Sequence, residues 1–249
     1  MVPAPTKGVP AIFIGRKKLL QRLSRLYRSN RHVLLQGPPG AGKSALITVF
    51  ARTHPLLFAL GCSCLGELVT ALEPSIGLDR GELKMPARVH RLSARLPELG
   101  RPIVIDNVAR VPPRVAHLVR FLMLRQPVWL IVRSTDPLNL GHVWPYLFLF
   151  KSIEVPPFSL AETRGFLDVV DFFGDRSELL AAAQRLHRLS AGNPATLTAL
   201  VSELRCRTYD LDSSEGLRLL VLHARITAVS ACVNRNPARV PAHPHGVIP

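Results

Sequence analysis

One segment of the chain has residue types and spacing suited to binding phosphate. Residues 37–44, GPPGAGKS, match the phosphate-binding loop pattern G-x-x-x-x-G-K-[ST]. The glycines let the backbone approach phosphate oxygens, so that several N–H groups converge on one anion. We expect Lys43 to reach the β- and γ-phosphates and the Ser44 hydroxyl to bind Mg²⁺. The residues predicted to bind nucleotide here are Gly37, Pro38, Pro39, Gly40, Ala41, Gly42, Lys43, Ser44 and Ala45.

The loop lies between the two elements that such a site needs. An apolar run at 33–36 predicts a buried strand before it, and residues 45–51 predict a helix after it. The N-terminal end of that helix would add its positive dipole to the phosphate site. The alternative is a glycine-rich turn that matches the pattern by chance, which the flanking elements disfavour. The sequence therefore favours a nucleoside triphosphate as the ligand, with ATP and Mg²⁺ as the cofactors.

A second candidate group is an acid at the end of another apolar run. Residues 102–105 predict a strand that leads into Asp106 and Asn107. In parallel-sheet nucleotide-binding folds, an aspartate at this position holds Mg²⁺, usually through water. Many ATPases have a second acid at the next position, but the Asn107 amide can only position a water and cannot act as a base. Any hydrolysis is therefore predicted to be slow. The alternative for Asp106 is a turn residue or a helix N-cap.

Three further apolar runs complete the expected sheet, of which residues 56–60 predict the second strand. Residues 128–134 predict a fourth strand, and residues 152–155 predict a last strand before two prolines. Arg133 lies at the exit of the fourth strand, on the edge where a γ-phosphate would sit, and is predicted to sense it; a surface arginine is the other interpretation. Together the runs predict an α/β fold with five mostly parallel strands flanked by helices. The candidate catalytic residues are Lys43, Asp106, Asn107 and Arg133.

After residue 157 the pattern changes from alternating strands and helices to helices alone. Helices are expected over residues 160–170, 177–189, 194–204 and 217–233. We therefore predict a flexible arm over 1–10, a nucleotide-binding core over 11–157, a small all-helical lid domain over 158–233 and a disordered tail over 234–249. Both terminal segments contain several prolines and no hydrophobic period.

The composition excludes several classes of protein. Of the 249 residues, 47% are hydrophobic, which is sufficient for a buried core. The longest apolar run, at 143–150, is too short to span a membrane, and residues 1–7 lack the apolar part of a secretory signal. We therefore expect a cytoplasmic protein without a membrane partner. The cysteines and histidines lack the spacing of a structural metal site.

The chain is strongly basic, with a formal net charge of +15 and a pI near 10.9. Such a charge predicts a polyanionic partner, and DNA is the leading candidate. The densest cluster of basic residues lies on a predicted amphipathic helix and consists of Arg16, Lys17, Lys18, Arg22, Arg25, Arg28 and Arg31. The alternatives are a solvated helix face and a compositional bias toward arginine.

Taken in order, these landmarks resemble the AAA+ and STAND branches of the P-loop ATPases. The segments that carry the resemblance are FIGR at 13–16, IVIDN at 103–107, Arg133, EVPPFS at 154–159 and SAGNPA at 190–195. They resemble, respectively, the F-x-G-R segment before the phosphate loop, the Walker B strand, the sensor residue, the strand-to-lid crossing and the lid G-x-P motif. The resemblance covers most of residues 11–204. It implies a P-loop NTPase fold, with Phe13 packed near the adenine and Pro194 near the nucleotide.

Two departures from the family pattern bear on function. Asn107 replaces the usual second acid, and no clear arginine finger precedes the last strand, where Lys151 and His142 are poor substitutes. Origin-recognition-like ATPases and compact transposition helpers resemble the chain, which implies ATP-dependent assembly on DNA or with a protein partner. The alternative is a STAND-like nucleotide-dependent signalling switch with weak or no hydrolysis, which Asn107 favours. A metabolic kinase is disfavoured, because it has no role for the lid motif.

Overall fold

A parallel β-sheet forms the centre of the fold. The computed structural model describes residues 15–77, 83–133, 136–170 and 176–234. Its strands are Val33–Gln36 (β1), Leu57–Leu60 (β2), Ile103–Val108 (β3), Val128–Val132 (β4) and Lys151–Glu154 (β5). They lie in the order β2-β3-β4-β1-β5, and each neighbouring pair is parallel. The prediction of an α/β fold with a five-stranded sheet is confirmed.

The strand order brings the carboxyl ends of β1, β3 and β4 together at one edge of the sheet. β1 lies between β4 and β5, and β3 lies next to β4. The phosphate-binding loop after β1, Asp106 in β3 and Arg133 after β4 therefore meet at the same edge. The strand centres below them are closely packed, since Val104, Trp129 and Leu130 have almost no exposed surface. The buried sheet is thus a rigid base for the polar residues at its edge.

Helices cover the two faces of the sheet. They are Lys17–Arg28 (α1), Lys43–Ala51 (α2), Leu65–Leu72 (α3), Met85–Arg95 (α4) and Pro113–Met123 (α5). Leu23 of α1 and Leu46 of α2 pack with Trp129 in the core on one face. Leu92 of α4 and Leu122 of α5 are fully buried in the core on the other face. Each of these helices directs an apolar stripe at the sheet and leaves its polar side in solvent.

After β5, the described chain forms helices only. They are Leu160–Val169 (α6), Arg176–Ala181 (α7), Ala183–Ser190 (α8), Pro194–Cys206 (α9) and Ser214–Asn234 (α10), and together we call them the helical unit. Leu167, Leu186 and Leu200 lie in a third core that belongs to this unit. α6 begins with a capping box, in which Ser159 and Glu162 each accept a hydrogen bond from the other's backbone N–H.

One predicted helix is divided in two. The sequence predicts a single helix over residues 177–189, but the chain forms α7 and α8 with a break at Ala182. The break is a local change of ψ to −2° at that residue. Leu179, Ala183 and Leu186 are buried in the third core on both sides of it. The hydrophobic spacing stays in phase across the break, so the pattern alone predicts one continuous helix.

Two predictions concern parts of the chain that lie outside the described residues. These are the flexible arm over 1–10 and the disordered tail over 234–249, of which only Asn234 is described. The domain boundary at residue 157 stays a prediction. Among the described residues, no helix combines the length and the apolar character needed to cross a bilayer.

His32, directly before β1, connects the starts of three strands. Its Nδ1 accepts a hydrogen bond of 3.0 Å from the Val128 N–H in β4, and its carbonyl accepts one of 2.9 Å from the Lys151 N–H in β5. Burial lowers the pKa of His32, and the neighbouring Arg31 lowers it further. The fold therefore favours a neutral ring whose Nδ1 can accept.

We expect the free energy of unfolding to fall as the pH drops below about 6.5, the ordinary pKa of histidine. The folded pKa of His32 is lowered, so the unfolded chain takes up the proton first, and this contribution is complete above pH 6.5 and lost as the pH falls. His32→Asn keeps an acceptor and cannot titrate. Urea unfolding at about pH 7.5 and about pH 5.5 should show a smaller loss for the variant; an equal loss would contradict the assignment.

Candidate functional site

The predicted phosphate-binding loop connects β1 to α2. Gly40 and Gly42 have φ of 79° and 86°, a left-handed conformation that glycine adopts without strain. α2 begins at Lys43, and no side chain of the described residues caps its N-terminal end. The N–H groups of its first turn are therefore available to an anion at the loop, together with the positive end of the helix dipole.

Lys43 lies buried at this loop. Its ammonium donates hydrogen bonds of 2.6 Å to the Gly37 carbonyl and 2.9 Å to the Pro38 carbonyl. Burial lowers the pKa of Lys43; the carboxylate of Asp106 opposes this, and Arg133 adds to it. Because a phosphate oxygen is a stronger acceptor for an ammonium group than a neutral carbonyl, a phosphate at the loop would be the better partner for this buried cation.

A bulge in β3 shapes the site around the predicted metal-binding acid. The register with β4 shifts between Ile105 and Val108. Within it, Asn107 has φ of 63°, and its N–H donates a hydrogen bond of 2.6 Å to Asp106 Oδ1. Asparagine tolerates this left-handed conformation better than most residues. A regular strand would point neighbouring side chains to opposite faces. With the bulge, Asp106 and Asn107 both line one cavity.

That cavity has a volume of about 1080 Å³ and lies between the sheet edge and the helical unit. Its size is slightly above the usual range for ligand pockets, about 300–1,000 Å³. The predicted site residues that line it are Pro39, Gly40, Ala41, Gly42, Lys43, Ser44, Ala45, Asp106, Asn107, Arg133 and Pro194. Gly37 and Pro38 are not in this lining and instead accept hydrogen bonds from Lys43. Phe13, predicted near the adenine, lies outside the described residues.

Sequence reasoning missed most of the wall that the helical unit contributes. Phe158, Phe166 and Val170 form an apolar part of that wall. The residues of α9 that line the cavity are Pro194, Ala195, Thr198, Val201, Ser202 and Arg205. Their spacing of three and four residues puts them on one face of α9, which is the signal that could have shown them. The motif at 190–195 contains the first two of them, and only Pro194 is predicted above as a site residue.

Arg16, the last residue of the FIGR segment, also lines the cavity, whereas only Phe13 of that segment is predicted above as a site residue. It is 9% exposed, its Nη2 donates a hydrogen bond of 2.9 Å to the Pro156 carbonyl, and its guanidinium lies 5.1 Å from the ring centre of Phe158. Its Nη1 is buried and has no hydrogen-bond partner among the described residues. Burial lowers the pKa of Arg16, which Glu162 opposes. A buried donor without a partner in the cavity wall suits a polar or anionic ligand group.

The N-terminal end of α9 is bonded directly to the phosphate-binding loop. Asn193 Nδ2 donates a hydrogen bond of 2.7 Å to the Pro39 carbonyl, and the Ala195 N–H donates one of 3.2 Å to the Gly40 carbonyl. The packing is close, because a Cβ at Gly40 would lie 2.5 Å from Asn193 Oδ1. Asn193 Oδ1 also caps α9 by accepting from Ala195 and Thr196 N–H groups. One asparagine thus holds the helix start and the loop together.

Comparison with solved structures identifies this architecture. The chain is similar to the Orc1 protein of Aeropyrum pernix, solved in complex with DNA, with a TM-score of 0.67 and 18% identity over 94% of this chain and 70% of that chain. This chain has a P-loop ATPase fold. Its resemblance to AAA+ and STAND ATPases is therefore confirmed for the fold. No known family profile matches the sequence.

Two other solved proteins share this fold at similar levels of sequence identity. A STAND protein with a tetratricopeptide repeat sensor from Pyrococcus horikoshii has a TM-score of 0.53 and 17% identity over 85% of this chain, but this chain spans only 32% of it. A mutant of RuvB from Thermotoga maritima has a TM-score of 0.53 and 19% identity, over 86% of this chain and 71% of that one. At these identities, the similarity concerns the fold.

Two substitutions of Asn193 test separately its cap of α9 and its hydrogen bond to the loop. Asn193→Ser keeps an oxygen that can cap α9 but is too short to reach Pro39, whereas Asn193→Ala loses both. We expect the alanine variant to lose about 1 kcal/mol of stability and the serine variant much less. Both should weaken nucleotide binding to a similar extent, because both remove the hydrogen bond from Asn193 to the Pro39 carbonyl of the loop. Chemical unfolding and titration with a fluorescent ATP analogue measure the two effects. If the serine variant bound nucleotide as tightly as the wild type and only the alanine variant bound it more weakly, the bond between Asn193 and Pro39 would not support nucleotide binding.

Proposed function

We propose that the cavity binds ATP together with Mg²⁺. The observation that carries the proposal is the meeting of the phosphate-binding loop, the ends of β3 and β4 and one face of α9 in a single cavity. Of the described residues that line it, Arg16, Lys43, Arg133 and Arg205 are cationic, and Asp106 is the acid. A polyanion such as a triphosphate suits this excess of positive charge.

The roles follow from the chemistry of each wall. The loop amides and Lys43 would bind the β- and γ-phosphates, and Arg133 would sense the γ-phosphate from the end of β4. Ser44 and Asp106 offer the hydroxyl and carboxylate oxygens that suit Mg²⁺, which would neutralise charge on the phosphates. The apolar surface of Phe158, Phe166 and Val201 suits the adenine ring of ATP.

Asn107 bears on the rate of hydrolysis. It lies in the cavity wall next to Asp106, where its amide could orient a water molecule by hydrogen bonds. An amide does not accept a proton at neutral pH, so the water would not be deprotonated by this residue. We therefore propose slow turnover, with the nucleotide bound for long periods.

Nucleotide binding would act on the position of the helical unit. α9 contacts the loop at its start and lines the cavity along its length, so a bound nucleotide would touch both sides and favour one angle between them. We propose that this angle controls assembly on DNA or with a protein partner, including a second copy of the chain. The net charge of +15 and the similarity to an Orc1 protein solved with DNA support the DNA branch.

A STAND-like signalling switch is the second candidate. It is favoured by one observation, the amide of Asn107 at a position where a hydrolytic ATPase would carry an acid. In that case the chain would bind ATP or ADP, hydrolyse little and recruit a protein. Hydrolysis measured with and without duplex DNA separates the two, because stimulation by DNA is expected only for the DNA-dependent ATPase.

Lys43→Ala tests nucleotide binding directly. Loss of charge-assisted hydrogen bonds to the phosphates should weaken binding of a fluorescent ATP analogue by about 10- to 100-fold. Lys84→Ala is the matched control, since Lys84 is exposed before α4 and away from the cavity lining. Circular dichroism checks that both variants fold. Equal affinity in the two variants would count against the proposed site.

Asn107→Asp tests the reason for slow turnover. Aspartate has nearly the same shape, tolerates the left-handed backbone and can accept a proton. We expect turnover to rise by about 10-fold or more, since a general base contributes about 10²- to 10⁴-fold, and we expect Asn107→Ala to reduce it. Phosphate release under saturating ATP and Mg²⁺ is the measurement. No gain with aspartate would mean that another step limits the rate.

A further inference from the structure

We propose that the exposed side of α1, extended by Lys151 of β5, binds the phosphate backbone of duplex DNA. This surface, which we call the basic face, consists of Lys17, Lys18, Arg22, Arg25, Arg28 and Lys151. The inference rests on the proposed assembly of the chain on DNA and names the surface that would bind the DNA. All six of these residues are exposed.

The cations of α1 occupy one continuous side of the helix. At 100° per residue, its five basic residues and Gln21 fall within an arc of about 140°, and the apolar residues fall outside it. α1 itself contains no acid, and residues 1–66 of the sequence contain no Asp or Glu at all. No acidic side chain of residues 1–66 can therefore pair with the cations of the basic face. An ordinary solvated helix face differs, because positive and negative charges alternate on it.

α1 is packed firmly against the core, so its backbone does not have to be ordered on binding. Leu23 is fully buried beneath the helix, and Tyr27 packs edge-on against Trp129 and Phe50. At the sheet edge, Arg22 Nη2 donates a hydrogen bond of 2.9 Å to the Ser152 carbonyl of β5. This bond joins α1 to the edge strand and keeps the charged groups in one surface.

Lys151 continues the basic face beyond the helix. In a strand, alternate residues point to the same side, so Lys151 shares its side of β5 with Ile153. Ile153 packs in the core that contains Leu23 of α1, which places Lys151 on the same side of the sheet as α1. Glu154 alternates to the opposite side. The negative charge of Glu154 therefore lies on the other side of the sheet from the basic face.

The chemistry of the basic face favours duplex DNA over other polyanions. Single-stranded nucleic acid is usually bound through aromatic side chains on which bases stack, but Tyr27, the aromatic residue of α1, packs inward. Membrane-surface helices insert apolar side chains, and the exposed arc of α1 has none. A straight row of cations about 18 Å long can instead follow the closely spaced phosphates of a duplex.

Electrostatic binding of this kind makes a quantitative prediction. If six cations each neutralise one phosphate, the logarithm of the affinity should fall with the logarithm of salt concentration with a slope of about −5. Each doubling of salt would then reduce affinity about 30-fold. Because the contacts are to phosphates, affinity should depend little on DNA sequence.

Two triple variants with the same change in net charge test the surface. The first, Lys18→Gln, Arg25→Gln and Arg28→Gln, removes three of the six charges of the basic face and leaves Arg22 bonded to β5. The control, Arg91→Gln, Arg101→Gln and Arg218→Gln, removes three exposed charges elsewhere. Affinity for a duplex of random sequence is measured by fluorescence anisotropy at several salt concentrations, with full-length chain and saturating ATP and Mg²⁺. Single-stranded DNA and anionic vesicles are measured alongside.

We expect the first triple variant to lose at least about 10-fold in duplex affinity and to reduce the salt slope by about 2.7, while the control stays within about threefold of the wild type. Equal losses in the two variants would overturn the basic face as the binding surface, and so would tighter binding to single strands or vesicles. Fluorescent ATP titration of the same variants should be unchanged. If ATP binding is intact but the wild type does not bind duplex DNA, the inference fails while the proposed nucleotide site stands.

Discussion

The close contact between α9 and the phosphate-binding loop is the constraint on which the site depends. Asn193 donates to the Pro39 carbonyl, and the Ala195 N–H donates to the Gly40 carbonyl. Gly40 leaves no room for a side chain at this contact. The loop that would surround a phosphate is therefore also the surface on which the helical unit rests. Because α9 also lines the cavity at the loop, a ligand bound there would lie beside it, and we propose that this contact would let nucleotide binding act on the position of the helices.

The charges of the cavity give the second constraint. Lys43 and Arg16 are both buried, and burial lowers the pKa of each. Burial of a cation is unfavourable unless an anion or several acceptors compensate it. Carbonyls of the loop and of Pro156 supply part of this compensation, and a triphosphate would supply more. We infer that two buried cations in one cavity favour an anionic ligand such as a phosphate.

The local pattern predicted much of the fold, because the phosphate-binding loop and the apolar runs depend on near neighbours in sequence. The bulge that turns both Asp106 and Asn107 to the cavity was not predictable, since no local pattern marks an extra residue in β3. The break at Ala182 was missed because burial stays in phase across it. The place of Arg16 in the cavity wall and the cavity face of α9 were missed for another reason: both depend on packing between segments about 140 to 154 residues apart in sequence.

Amide hydrogen exchange with and without ATP and Mg²⁺ tests most directly whether a nucleotide at the loop also acts on α9, because it reports on both segments in one experiment. We expect slower exchange both in the first turn of α2 and in the first turn of α9, where Ala195 and Thr196 lie. Slower exchange in α2 alone, with α9 unchanged, would contradict it, because the nucleotide would then bind the loop without acting on the helical unit.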